Sequence, residues 1–149
     1  MIEPAILYYC RYQERCHNEV RSKLYELGFS KITVDDQISE LIAADILNEE
    51  RFAISFARGK WRMLQWGKNK IKQQLKLKNV SEYCIKKALQ EIHDDDYQSK
   101  LEELTIKKWN ELRKERSMQM KKAKVYRYML QKGYEQDLVL SIIAACYSK

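Results

Sequence analysis

The sequence predicts an all-α fold made of three tandem three-helix repeats. Three observations lead there. The 149 residues include one proline and four glycines, so few positions interrupt a helix. Leu, Lys, Glu, Gln and Ala are plentiful, a mixture that favours helix almost throughout. Most tellingly, one pattern recurs without gaps at "HNEVRSKLYELGF" (17–29), "KNKIKQQLKLKNV" (68–80) and "KAKVYRYMLQKGY" (122–134).

Each position of that pattern has a physical reason. Val20, Ile71 and Val125 correspond, as do Leu24, Leu75 and Met129. The two sets are four residues apart and share one helix face. Gly28, Asn79 and Gly133 follow, where a left-handed residue ends a helix and Gly or Asn costs least. Phe29, Val80 and Tyr134 come next and can fold back on the last turn. A further helix is expected after each copy. Ile85 and Leu89 match Val139 and Ile143, and match Ile38 and Ile42 if the first repeat has four extra residues in its turn.

A leading helix precedes each copy, over about 4–14, 49–65 and 97–116. Cys16 stands at the N-cap of the first repeated helix. Asn48 caps the middle leading helix, with Glu49 and Glu50 at its positive end and Leu47 placed to staple onto Phe52. "HDDD" (93–96) supplies capping carboxylates to the third. The repeats are therefore 1–48, 49–92 and 93–149. Such units bury little alone and stack on one another, which predicts an elongated, curved body. A surface of that kind suits a filament or another long partner better than a small substrate.

Several functions find no support. No apolar run reaches the roughly 18 residues of a membrane span, and the N-terminus lacks the pattern of a signal peptide, so a cytoplasmic location is expected; separately, the chain is expected to be a monomer. Cys10, Cys16, Cys84 and Cys146 form no CxxC pair and read as reduced, packed cysteines. Cys10, Cys16 and His17 lack the second ligand pair of a zinc finger. There is no phosphate loop, HExxH, GxSxG or kinase signature, and His17 and His93 lie in different repeats. Neither enzyme, metal nor cofactor is expected.

Charge is what stands out. Residues 58–90 hold 10 Lys or Arg against a single acid, Glu82, whereas residues 1–57 hold 6 against 10. A dense basic patch attracts polyanions locally. With Ile71 and Leu75 setting the helical period, Lys68, Lys72 and Lys76 form an i,i+4 ladder on one flank. Each like-charge step costs an isolated helix about 0.2–0.5 kcal/mol. The equivalent ladders are His17, Arg21 and Tyr25 in the first repeat and Lys122, Tyr126 and Leu130 in the third. Only the middle repeat is fully basic, which makes it the expected anchor. Trp61 and Trp66 read as packing residues rather than base-stacking platforms.

The segment "ILNEERFAISFARGKWRMLQWGKNKIKQQLKLKNVSEYCIKKAL" (46–89) resembles the RecX family, which regulates RecA recombinase. It carries the family's acidic-Arg-Phe-Ala helix start, an Arg, then a Gly followed by basic residues, an Ile and a Leu. "ERCHNEVRSKLYELGF" resembles the family's first repeat and "RYMLQKGYEQDLVLSII" its last. Cys16 stands where Ser is usual, and Asn79 where Gly is. The resemblance implies a three-repeat fold and a non-enzymatic modulator acting in recombination, DNA repair and the SOS response. Such proteins bind RecA–DNA filaments along the groove and usually inhibit ATPase, strand exchange and filament growth. The expected contacts with RecA or DNA are Arg58, Lys60, Arg62, Lys68, Lys70, Lys72 and Lys76, with Lys122, Lys124 and Arg127 from the third repeat. Arg51 is expected to be first a helix-start residue and then a contact. The alternative is a general DNA-binding helical protein acting without RecA.

Overall fold

A computed structural model describes residues 1–148. Among them the chain is helical with no strand, in nine α-helices and one π-helical turn. They are α1 (Pro4–Tyr12), α2 (His17–Glu26), α3 (Lys31–Ala43), α4 (Glu49–Gly59), the π turn (Lys60–Leu64), α5 (Lys68–Leu77), α6 (Glu82–Leu89), α7 (Asp94–Glu111), α8 (Met118–Lys132) and α9 (Gln136–Tyr147).

The repeated pattern ends α2, α5 and α8 in one way. Gly28, Asn79 and Gly133 have φ of 94°, 59° and 102°. In each copy this residue's N–H donates to the carbonyl three back, at Tyr25, Lys76 and Leu130 (2.9–3.0 Å). The next N–H, of Phe29, Val80 or Tyr134, donates to the carbonyl five back, at Leu24, Leu75 or Met129 (3.1–3.2 Å). Carbonyls that a helix end would leave unpaired are thus satisfied within the turn. The six expected core positions, Val20, Leu24, Ile71, Leu75, Val125 and Met129, are all 0 % exposed.

The following helices correct one expectation. No extra residues lie in the first turn. Ser30, Ser81 and Glu135 each directly precede a helix, at the same distance from the left-handed residue. Val34, Ile85 and Val139 are therefore the equivalent core residues, all buried. The additional length of the first repeat is at the end of α3, which runs to Ala43 where α6 stops at Leu89. Ile42 consequently lies outside the core at 46 % exposure, and Leu41 is buried instead.

The leading helices also differ in detail. α1 ends at Tyr12. α4 starts as expected, with the Arg51 N–H donating to Asn48 Oδ1 at 2.9 Å. It changes at Gly59 into the π turn, which Gln65 closes in the left-handed region. α7 starts at Asp94 rather than 97, with His93 at the cap and no side-chain capping bond. The three aspartates lie in its first turn, where they act on the helix dipole rather than as caps.

The chain divides into two compact units. The first takes Met1–Ala57 and Leu75–Ala88. Its core includes Ile6, Cys10, Val20, Leu24, Val34, Ile38, Leu41 and Leu47. The buried Gln37 ties down the start of α1, accepting from the Glu3 N–H and donating to the Met1 carbonyl, each at 2.8 Å. The second unit takes Arg58–Gln74 and the chain from Leu89 onward. There α7, α8 and α9 pack on one another around Tyr97, Leu101, Leu104, Val125, Met129, Tyr134, Val139 and Ile143.

Candidate functional site

The basic residues of the second unit are positioned by a junction of backbone and aromatic groups. Gly67 meets Gly133 so closely that a Cβ built on Gly67 would lie 2.2 Å from the Gly133 carbonyl carbon. The N–H groups of Gly67 and Asn69 donate to the carbonyls of Lys132 and Gly133, at 2.7 and 2.9 Å. Between them the Lys68 N–H donates to the Tyr97 hydroxyl at 3.0 Å. The start of α5 is thus capped by the end of α8, and these amides are already used.

Two tyrosines complete the junction. The Tyr97 hydroxyl donates to Glu135 Oε1 in a short hydrogen bond. The Tyr134 hydroxyl donates to the Gln65 carbonyl at 2.8 Å and helps hold the left-handed turn. Their rings stack with centroids 5.3 Å apart, and Trp61 lies 5.6 Å from Tyr97. Burial is the main reason both hydroxyls resist ionisation; for Tyr97 the bond to Glu135 adds to it. Trp61 packs here, as its helical spacing suggested.

The expected contact residues separate into engaged and uncompensated groups. In the first unit Arg51 pairs with Glu14 at 2.7 Å and Asp45 at 3.3 Å. It also donates to the Asp45 and Ile46 carbonyls, so it braces the entry to α4. In the second unit Arg58 pairs with Glu91 at 2.9 Å and Lys68 with Asp94 at 3.6 Å. Lys68 also lies 4.7 Å from the Tyr97 ring centroid. Acids from outside the basic segment thus neutralise two positions that it leaves open by itself. Lys124 pairs with Glu115 at 2.5 Å and holds that carboxyl below its usual range. Lys122 sits 3.7 Å over the Tyr147 ring. Among the described residues Arg62, Lys72, Lys76 and Arg127 are exposed and make no ion pair. Lys76 belongs to the first unit and the other three to the second.

Lys60 and Lys70 share one partner. Their ammonium groups lie 5.0 and 4.5 Å from the Trp66 ring centroid. Lys132, absent from the sequence-based set, reaches the neighbouring Leu64 carbonyl at 3.2 Å. A lysine in a helix's last turn is ordinary on dipole grounds, so the sequence offered no signal for it.

The exposed cations Arg62, Lys72, Lys76 and Arg127 can attract anions. Among the described residues no group of three His, Cys, Asp or Glu could hold a metal ion. Cys10, Cys16, Cys84 and Cys146 form no disulfide among the described residues. Burial raises the thiol of Cys16 to about 11, which keeps it protonated and inert at neutral pH. No described helix is long and apolar enough to cross a membrane.

Comparison with known proteins assigns the family. Residues 48–89 match RecX, second three-helix domain, and residues 94–143 match RecX, third three-helix domain. The chain belongs to the RecX family. It is 35% identical over 130 residues to the Regulatory protein RecX of Clostridium perfringens (strain 13 / Type A), covering 87% of this chain and 60% of that one. It is 30% identical over 126 residues to the Regulatory protein RecX of Haemophilus influenzae (strain Rd), covering 84% and 81%. The chain thus spans about 60% of the length of its clostridial relatives. The crystal structure of RecX from Lactobacillus salivarius superposes with a TM-score of 0.82 at 28% identity, covering 95% of this chain and 91% of that one. The all-α repeat fold expected from the sequence is the RecX fold.

Proposed function

We propose that this chain is a non-enzymatic modulator of RecA recombinase, acting as an inhibitor on RecA–DNA filaments. It would lie along the filament groove as a cytoplasmic monomer of three tandem repeats, and limit ATP hydrolysis, strand exchange and filament growth. Recombination, repair and the SOS response are the processes affected. Family membership supports the regulatory part, since the matched relatives are named regulatory proteins.

One observation carries the contact surface. In the second unit Arg62 and Lys72 are exposed without a carboxylate partner, close in sequence to Lys60 and Lys70 on their shared indole. Uncompensated like charges are maintained at a cost that binding a polyanion recovers. Arg51, Arg58, Lys68 and Lys124, already paired, contribute less to binding and more to shape.

The test is inhibition of RecA-dependent ATP hydrolysis on single-stranded DNA. Arg62→Glu with Lys72→Glu should abolish inhibition at unchanged helicity by circular dichroism. Full inhibition by that variant would remove the surface from the contact. The alternative, a DNA-binding protein independent of RecA, predicts equal affinity for bare DNA and for the filament at physiological salt, with a steep salt dependence.

A further inference from the structure

The first unit has an open groove between α1 and α2. Tyr8, Tyr9 and Tyr12 of α1 line one side, and Lys23 of α2 and Leu27 at its end line the other. Tyr8 and Tyr12 stand one turn apart with ring centroids 6.3 Å from each other, yet they are 72% and 71% exposed. Arg15, from the link between the two helices, also lines the groove. Its guanidinium carbon lies 3.7 Å from the Tyr9 ring centroid, and its Nε donates to the Tyr9 carbonyl at 3.0 Å. These contacts fix the guanidinium in place without neutralising it. Residues 1–57 hold 10 Asp or Glu against 6 Lys or Arg, and still Arg15 has no ion-pair partner among the described residues. Lys23 lies 5.7 Å from the same ring centroid, but it pairs with Glu26 at 3.8 Å. The groove thus holds one immobilised, half-buried and unmatched positive charge beside exposed aromatic rings.

We propose that this groove docks an acidic segment of a partner protein, with a carboxylate on Arg15 and an adjacent apolar side chain among Tyr8, Tyr12 and Leu27. The proposal goes beyond the modulator reading and uses none of the basic residues of the second unit. Charge complementarity names the occupant. With Nε spent on the Tyr9 carbonyl, the two terminal nitrogens of Arg15 remain, and such a pair matches the two oxygens of one carboxylate. Partial burial strengthens that pairing, because fewer water molecules screen it. The tyrosines supply large, rigid contact area at little cost in side-chain freedom. Tyr and Arg are also the residue types in which the binding energy of protein interfaces concentrates. A nucleic-acid strand fits the groove poorly. The acids that outnumber bases over residues 1–57 repel a continuous polyanion, whereas a short peptide brings a single carboxylate to the one open cation.

The test is selection of random peptides displayed on phage against the full chain, with counter-selection on Arg15→Gln. Enriched peptides should carry Asp or Glu next to Phe, Trp or Leu. The leading peptide is then labelled with fluorescein and titrated with the full chain and its variants. Arg15→Gln and Tyr12→Ala should each weaken binding by about tenfold, while Tyr25→Ala, an exposed tyrosine of the same unit outside the groove, should stay within about twofold. Exchanging the peptide's acid for its amide should cost the intact chain about tenfold and cost Arg15→Gln almost nothing, the mark of a direct pair. The amide peptide on the intact chain and the exposed Tyr12 keep the result readable if Arg15→Gln is misfolded by circular dichroism. Oligodeoxythymidylate should not displace the peptide. Failure to enrich any peptide over the counter-selection would overturn the proposal. So would equal costs of the acid-to-amide exchange on the two proteins, or an affinity that Tyr12→Ala leaves unchanged. Displacement by the oligonucleotide would also overturn it and give the groove to nucleic acid.

Discussion

Gly28 and Gly133 end equivalent helices with nearly the same backbone, φ 94° and 102°, and the same pair of hydrogen bonds. Their surroundings are opposite. A Cβ on Gly28 would meet nothing within 4 Å, whereas one on Gly133 would lie 2.3 Å from the Lys70 Cβ and 2.7 Å from the Lys70 nitrogen. The first glycine answers only to the left-handed turn. The second also allows one helix end to dock against another. Identical motifs in a repeat protein can thus carry unequal burdens, and the difference lies in the neighbour rather than in the motif.

Substitutions separate the two roles. Gly133→Ala should have the largest effect, adding about 1–2 kcal/mol of left-handed strain to about 1–3 kcal/mol of overpacking. Its thermal midpoint should fall by on the order of 10 °C. The Gly67 and Asn69 amides, which depend on this junction, should lose protection from hydrogen exchange. Gly28→Ala should cost only the strain, about 1–2 kcal/mol in chemical denaturation. Equal losses at the two sites would break the comparison. Gly28→Asn should be the mildest, within about 0.5 kcal/mol, because Asn enters this region readily and Asn79 already does so in the second repeat. A large loss there would mean that Gly28 has a packing role the open space does not show.

The local parts of this fold were legible in the sequence. Val20, Leu24, Ile71, Leu75, Val125 and Met129 could be placed in the core because their spacing encodes a helix face, and Gly28, Asn79 and Gly133 because few residues tolerate that backbone. Asn48 was legible as a cap because its partner is three residues away. What failed was non-local. The π turn and the left-handed Gln65 are held by Lys132 and Tyr134, both far along the chain. The register of α3 was misread because Ile38 and Ile42 repeat the i,i+4 spacing that Val34 and Ile38 actually supply. The lysine ladder was visible as a charge pattern, but the acids facing it were not. Asp94 pairs with Lys68, and Glu91 with the neighbouring Arg58. Lysine counting therefore overstates the free charge and misses Lys132, which folding adds to the same neighbourhood.

The docking of α8 onto α5 has a chemical corollary. Backbone amides at a helix start hold a permanent partial charge that no side-chain chemistry can remove. Here those of Gly67, Lys68 and Asn69 are spent inside the protein, so the charge around Trp66 resides on ammonium groups. Ammonium charge is erasable. Acylation of Lys70 or Lys132 would subtract it one unit at a time, leaving the helices that carry it intact.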